Sequence, residues 1–218
     1  LSTTSPVMQG LAGLAISVAT SDCMRTRFQG NSLQKPDAIL IAGPTASGKS
    51  KLALELAEKH DGEIINTDSM QVYPVLNILT ARPGNDDLEV VPHHLYGHAD
   101  IRKPYSVARW MEDVRPVHDD IRNRQKTPIF VGGTGLYFRA LLDGLACVPE
   151  IPADIRAKIR AELLEDGAEA LHQQLMELDP EGALRLKPGD GHRIARALEV
   201  VTATGKSLSF FQKQYFYL

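Results

Sequence analysis

Short apolar runs alternate with longer amphipathic ones along the first two thirds of the chain. Ala38-Ile39-Leu40-Ile41-Ala42 is brief and continuously apolar, the pattern of a strand buried on both faces. Residues 51–60 follow with Leu52, Leu54, Leu56 and Ala57 set among charges, which predicts a helix. Gly62-Glu63-Ile64-Ile65-Asn66 repeats the strand signal. Residues 74–104 read as loop-rich, punctuated by Pro74, Pro83, Gly84, Pro92, Gly97 and Pro104. A helix is predicted over 106–125, capped by Ser106, with Val107, Trp110, Met111, Val114, Val117 and Ile121 on one face. Arg122, Arg124 and Lys126 suit its C-terminal end, where the helix dipole favours cations. Pro128-Ile129-Phe130-Val131 is a third short strand, and another helix begins over 136–142. Beyond Pro149 the strand signals stop, and 151–165, 168–178, 180–186 and 191–204 all read as helical.

Strands that alternate with helices imply a parallel sheet. The organisation expected is a disordered leader over 1–36, rich in Ser, Thr, Gly and Gln, then an α/β core over 37–144. A helical lobe over 145–190 follows, and 191–218 return to the core. The junction of the first strand and first helix is Gly43-Pro44-Thr45-Ala46-Ser47-Gly48-Lys49-Ser50, a full match to the phosphate-loop pattern G-x-x-x-x-G-K-[ST]. Its glycines let successive N–H groups turn inward, and the new helix adds the positive end of its dipole. Lys49 contributes a point charge, and the Ser50 hydroxyl suits a Mg²⁺ ion. The fold class is therefore α/β, a P-loop NTPase-like parallel sheet flanked by helices with a small helical insertion lobe. Asp68 lies just past the second strand, at the carboxyl edge of the sheet, where open α/β sheets bind ligands.

The 218 residues are 43% hydrophobic and 23% charged, ordinary for a soluble globular protein. A net charge of −3 gives no global pull toward nucleic acid, so a polyanionic partner needs a local basic patch. Cys23 and Cys147 stand far apart, as in a reduced cytoplasmic protein. No apolar run approaches a membrane span, and the mildly apolar stretch 11–19 lacks the basic segment of a signal sequence. The chain begins with Leu1, leaving Met8 or Met24 as alternative starts. His93, His94 and His98 lie on an extended segment without a matching Cys or carboxylate cluster, so hydrogen bonding is expected of them rather than metal binding.

Five segments in order carry a resemblance. They are the 43–50 loop, Asp68-Ser69-Met70-Gln71-Val72-Tyr73, Val91-Pro92-His93-His94-Leu95, Val131-Gly132-Gly133-Thr134-Gly135-Leu136-Tyr137 and Arg193-Ile194-Ala195-Arg196-Ala197-Leu198-Glu199-Val200. Thr80-Ala81-Arg82-Pro83, Pro104-Tyr105-Ser106-Val107-Ala108-Arg109 and Thr204-Gly205-Lys206-Ser207 agree with them. Together they resemble the tRNA dimethylallyltransferase (tRNA isopentenyltransferase) family. The resemblance implies transfer of a dimethylallyl group from dimethylallyl diphosphate to N6 of the adenosine on the 3′ side of the anticodon. The partners implied are dimethylallyl diphosphate and the tRNA anticodon arm, the cofactor is Mg²⁺ held at Ser50, and a monomer is expected.

The resemblance makes Asp68 the general base, with Ser69, Met70 and Gln71 lining the base pocket. Residues 43–50 would hold the diphosphate rather than an ATP to be hydrolysed, with the Thr45 hydroxyl near its bridging region. Asp68, Ser69, Met70, Gln71, Thr134, Arg156, His192, Arg193 and Arg196 are the implied tRNA contacts; Arg193 or Arg196 would clamp the diphosphate or the nearby tRNA backbone, and Arg193 is counted with Asp68 and Thr45 among the catalytic residues. Simpler alternatives stand beside these roles: a Mg²⁺-organising or helix-capping carboxylate for Asp68, a loop-stabilising hydroxyl for Thr45, core packing for Met70, a helix cap for Thr134, a solvated face for Arg193 and Arg196, and a mixed charged helix for Arg156, Lys158 and Arg160. Two features depart from the family. His192 stands where members commonly have Gln, and after Ser209 an aromatic run closes the chain where members continue, as in a truncated product. The rival functions are a P-loop small-molecule kinase or NTPase, and an inactive tRNA-binding remnant.

Overall fold

Three parallel strands form the centre of the sheet in the computed structural model, which describes residues 15–19, 36–76, 82–212 and 215–216. The chain divides after Leu142 into two compact units. In the first, β1 (Ala15–Ala19), β2 (Ala38–Ala42), β3 (Gly62–Asn66), β4 (His93–His94) and β5 (Thr127–Gly132) build a five-stranded sheet in the order β1-β2-β5-β3-β4. Strands β2 to β5 run parallel, and β1 is antiparallel to β2. Helices α1 (Lys49–His60), α2 (Asn85–Val90), α3 (Val107–Asn123) and α4 (Gly135–Asp143) complete this part of the chain, with a 3-10 turn at Pro74–Leu76.

The register sorts the apolar strand residues onto two faces. Ile39, Ile41, Ile64, Ile129 and Val131 form one buried cluster with Ala53 and Ala57 of α1. Those two alanines lie four residues apart, one turn of helix, and their small side chains let α1 approach the sheet closely. Leu40, Ile65 and Phe130 alternate to the other face. There His118 of α3 lies over the Phe130 ring, and α3 buries Trp110, Met111, Val114 and Ile121. Ser106 caps α3 by accepting from the Arg109 N–H, as expected.

Three expectations need correction. Part of the expected leader, Ala15–Ala19, is an edge strand, because Ile16 and Val18 alternate in a β-favouring run beside the exposed edge of β2; the remaining residues of 1–35 lie outside the described ones. The stretch 74–104 is not loop alone, since it also carries α2 and β4, the latter too short to leave a periodic signal. Thr80 and Ala81 of the minor motif fall outside the described residues.

The third correction concerns residues 191–218, which group with the helical part of the chain. The second unit holds α5 (Ala153–Glu165), α6 (Gly167–Leu178), α7 (Pro180–Leu184), α8 (Gly191–Thr204) and α9 (Leu208–Phe211), with a small ladder of β6 (Leu145–Ala146) and β7 (Tyr215–Phe216). Ile194, Leu198 and Val201 of α8 pack with Leu171 and Leu175 of α6 and Ile159 of α5. The apolar stripe of α8 is thus the centre of this helical unit. Phe211, from the aromatic end of the chain, is buried with Ile151 and Val200.

Within the first unit, Glu63 is a fully buried carboxylate on β3. The guanidinium of Arg124 grips it through both oxygens, His94 Nε2 lies 2.8 Å from Oε2, and Lys126 Nζ lies 3.4 Å from Oε1. The Arg124 hydrogen bonds outweigh burial and hold its pKa down at about 2, against an ordinary 4.5. Because the folded pKa is depressed, this stabilisation is fully present above pH 4.5 and is lost as pH falls toward 2. Glu63→Gln removes the charge while Arg124, 41% exposed, can recover water. The loss should therefore fall at the low end of the range for broken buried pairs, about 3 kcal/mol near neutral pH, and should shrink on acidification. Urea unfolding followed by the fluorescence of Trp110, the single tryptophan, measures both effects.

Candidate functional site: a phosphate loop facing a carboxylate

β2 ends at Ala42 and the chain turns through 43–48 into α1. Ala46 (φ 62°) and Gly48 (φ 83°) both take left-handed backbone, which curls the loop around its own N–H groups. Lys49 Nζ donates to the Pro44 carbonyl at 2.6 Å and so folds back over the loop. Burial lowers the Lys49 pKa, and the negative charge of Asp68 partly opposes the shift. The Ser47 hydroxyl is buried with no hydrogen-bond partner among the described residues. A buried unpartnered hydroxyl costs free energy unless a ligand satisfies it. Curled amides, a desolvated cation and an orphaned hydroxyl together fit a phosphate group.

The carboxylate comes from the next strand. Thr67 N–H donates to Val131 O (2.8 Å), Gly43 N–H to Gly132 O (3.3 Å), and Thr134 N–H to Thr67 O (3.2 Å). A Cβ on Gly132 would lie 2.1 Å from the Thr67 carbonyl oxygen, so only glycine permits this approach. Asp68 Oδ1 accepts from Met70 N–H at 2.9 Å. Asn66, wholly buried, accepts from the Asp68 N–H through Oδ1, and its Nδ2 donates to the carbonyls of Asp68 and Leu95, each at 3.0 Å. Trp110 Nε1 donates to the Asn66 carbonyl at 3.1 Å, and the indole stacks on Tyr137 at 4.4 Å. Burial, helped by the neighbouring Tyr73 and Asp68, pushes the Tyr137 hydroxyl up to about 12. Asp68, Gln71, Thr45, Ser47, Lys49 and Ser50 line one cleft of about 240 Å³, with Tyr96 at its wall.

The expected residues therefore separate into two groups. Thr45, Ala46, Ser47, Gly48, Lys49 and Ser50 of the loop share the cleft with Asp68 and Gln71, while Gly43 and Pro44 do not line it. Ser69 and Met70 do not line it, and Met70 is 52% exposed. The Thr134 hydroxyl accepts from Ser69 N–H (2.9 Å) and donates to Ser69 Oγ (3.2 Å), so it is committed to the loop after Asp68. Arg156, His192, Arg193 and Arg196 belong to the second unit. There His192 and Arg193 are exposed at the start of α8, with Arg193 Nε 3.4 Å from Asp190. Arg196 is held by the buried Glu199 at 3.2 Å, which Arg160 also reaches at 3.5 Å. Lys158 pairs with Glu162 at 3.8 Å, so the basic stripe after Arg156 is laced with acids.

The three histidines take separate partners. His93 Nδ1 faces Val91 O, His94 meets Glu63, and His98 Nε2 lies 2.8 Å from the Tyr105 hydroxyl, which donates to Asp113. Among the described residues no three His, Cys, Asp or Glu side chains converge as a metal cage. Sequence reasoning missed Asn66, Trp110, Tyr96 and Tyr137 as parts of the site. The signals at hand were the Val131–Tyr137 motif, which ends on Tyr137 itself, and the Pro104–Arg109 motif beside Trp110.

Known proteins resemble this chain closely. The IPP transferase family model matches residues 71–217, and an isopentenyl transferase model matches 36–96. A tRNA dimethylallyltransferase of Chelativorans sp. (strain BNC1) is 56% identical over 177 residues, 81% of this chain and 61% of that protein. Its counterpart in Agrobacterium fabrum is 54% identical over 180 residues, 83% of this chain and 60% of that protein. The crystal structure of a eukaryotic dimethylallyltransferase acting on tRNA superposes with a TM-score of 0.69 at 33% identity, covering 81% of this chain and 44% of that one. The chain thus spans about six tenths of the curated relatives it matches. The fold is the expected P-loop NTPase-like one, a parallel sheet flanked by helices, and the chain belongs to the IPP transferase family.

The loop's suitability for phosphate can be tested without any turnover. Lys49→Ala should weaken inorganic pyrophosphate binding about 30-fold, the scale of one charge-assisted hydrogen bond. Ser47→Ala should weaken it about 5-fold, the scale of a neutral one, while leaving Tm unchanged or slightly raised. Calorimetric titration and thermal unfolding supply the two readouts.

Proposed function

We propose that this member of the IPP transferase family transfers a dimethylallyl group from dimethylallyl diphosphate to N6 of the adenosine 3′ to the tRNA anticodon. The observation that carries this is the shared cleft, in which a phosphate-fitting loop faces a single carboxylate. N6 of adenine is a weak nucleophile because its lone pair is delocalised into the ring. Attack on an allylic carbon therefore needs a base to take the amine proton and cations to absorb charge on the departing diphosphate. Asp68 is the base in this scheme. Its backbone is pinned by Asn66, and it lines the same cleft as Lys49, whose pKa its charge helps hold up. The 43–50 amides, Lys49 and the Ser47 and Thr45 hydroxyls receive the diphosphate.

Ser50 is the residue proposed to hold Mg²⁺, and its hydroxyl borders the same cleft. When bound, Mg²⁺ offsets charge on the diphosphate oxygens. Gln71, Ser69, Met70 and Thr134 are proposed to face the target base, which must leave its stack to react. Arg156, His192 and Arg193 are the proposed anion and RNA-backbone contacts of the helical unit, where affinity comes from phosphates. No helix of the described residues is long and apolar enough to cross a membrane. A cytoplasmic location and a monomeric state are part of the proposal.

The test is direct. The chain is incubated with labelled dimethylallyl diphosphate, Mg²⁺ and an anticodon stem-loop. Label should reach the adenosine, and Asp68→Ala should reduce transfer by about 10²- to 10⁴-fold, the usual contribution of a general base, with stem-loop affinity retained. ATP turnover without transfer would instead identify a kinase or NTPase. RNA binding without transfer would identify a tRNA-binding remnant.

A further inference from the structure

Every polar function of the Asn66 side chain is used, and each use bears on the segment that carries Asp68 or on the one beside it. Oδ1 takes the Asp68 N–H, one Nδ2 proton goes to the Asp68 carbonyl and the other to the Leu95 carbonyl, all at 3.0 Å. This amide can be placed only one way, because both carbonyls need donors and the N–H needs an acceptor. Leu95 has φ 62°, a left-handed conformation that a bulky residue adopts only when its surroundings enforce it. Leu95 closes the Val91-Pro92-His93-His94-Leu95 motif, and β4 within that motif pairs with β3 through His93 and His94. On its other side the Asn66 carbonyl is fixed by the indole of Trp110, itself buried against Tyr137.

We infer that Asn66 is a positioning residue for Asp68, held in place by the Leu95 carbonyl on one side and the Trp110 indole on the other. The inference rests on Asp68 as the proposed base. It also gives the Val91–Leu95 motif a task, since the loop of β4 supplies the acceptor that fixes the Asn66 amide. Asn66 reaches no substrate in this scheme and acts through the backbone of Asp68. A base displaced by about an ångström loses on the order of 10²-fold in rate, so the effect belongs in kcat rather than in substrate binding.

Two substitutions test it in the intact chain. Asn66→Asp keeps the acceptor for the Asp68 N–H and removes both donors. Trp110→Phe keeps an aromatic ring against Tyr137 and removes the bond to the Asn66 carbonyl. Amide exchange by NMR should accelerate at least about 10-fold at Asp68 and Met70 in both, with β2 and β5 amides unchanged. Transfer should show kcat lowered about 100-fold for Asn66→Asp and about 10-fold for Trp110→Phe, with KM for the diphosphate substrate within about 2-fold. If Asn66→Asp does not fold, Trp110→Phe decides. Unchanged exchange at Asp68 and Met70 overturns the inference. So does exchange that rises throughout the sheet, or faster local exchange with wild-type kcat. A wild-type chain that transfers nothing overturns the proposed function instead, and the exchange data still decide whether Asn66 braces Asp68.

Discussion

The cleft depends on one close approach, that of the Thr67 carbonyl to Gly132. Any side chain at Gly132 would put a carbon 2.1 Å from that oxygen. Glycine lets the ends of β3 and β5 pass in contact, and three backbone hydrogen bonds then tie Gly43, Thr67 and Thr134 into one frame. Each of those residues leads a different segment: the 43–50 loop, the loop that carries Asp68 and the entry to α4. Their relative positions are therefore fixed by main-chain bonds within a parallel ladder, among the least deformable parts of a fold. The side chains at the cleft inherit that rigidity, as preorganised chemistry requires.

Two carboxylates on neighbouring stretches of chain show how environment divides labour. Glu63 is wholly buried and saturated by Arg124, His94 and Lys126, so its proton equilibrium lies far from any useful range. Asp68, five residues on, borders the cleft and takes the Met70 N–H on Oδ1. The first is a structural anion that ties the end of α3 and β4 to β3; the second lines the cleft and is the proposed base. The cation side of the cleft is arranged in the complementary sense. Lys49 is partly desolvated and Ser47 unpartnered, so the loop carries a standing cost that an anion would offset.

Much of this was legible in the sequence, for identifiable reasons. Runs such as Ala38–Ala42 announce buried strands, the 43–50 pattern announces its own turn, and the α3 stripe survives an internal Pro116 because its apolar spacing holds. β4 was not legible, because two histidines carry no period. Asn66 was not legible as a brace, since a strand-terminal Asn resembles ordinary turn chemistry until Leu95 is seen 29 residues away in sequence. The placement of α8 was hidden for a different reason. An apolar stripe says that a helix is buried but not in which core, and here Leu171 and Leu175 supply the partner.

The two arginines of α8 illustrate how burial settles what spacing leaves open. Three residues apart on a helix, Arg193 and Arg196 project toward similar directions and look interchangeable in sequence. Glu199 breaks the equivalence. It is 3% exposed, and a carboxylate so buried requires a cation within reach. Arg196 and Arg160 provide it, which commits the Arg196 guanidinium to that buried carboxylate although its side chain stays partly exposed. Arg193 carries the looser contact to Asp190, itself the residue whose side chain caps the helix, and its side chain is 76% exposed. An external anion would have to compete with a buried carboxylate for Arg196 but only with a solvated one for Arg193. The desolvation already invested around Glu199 therefore makes Arg193 the cheaper of the two to recruit.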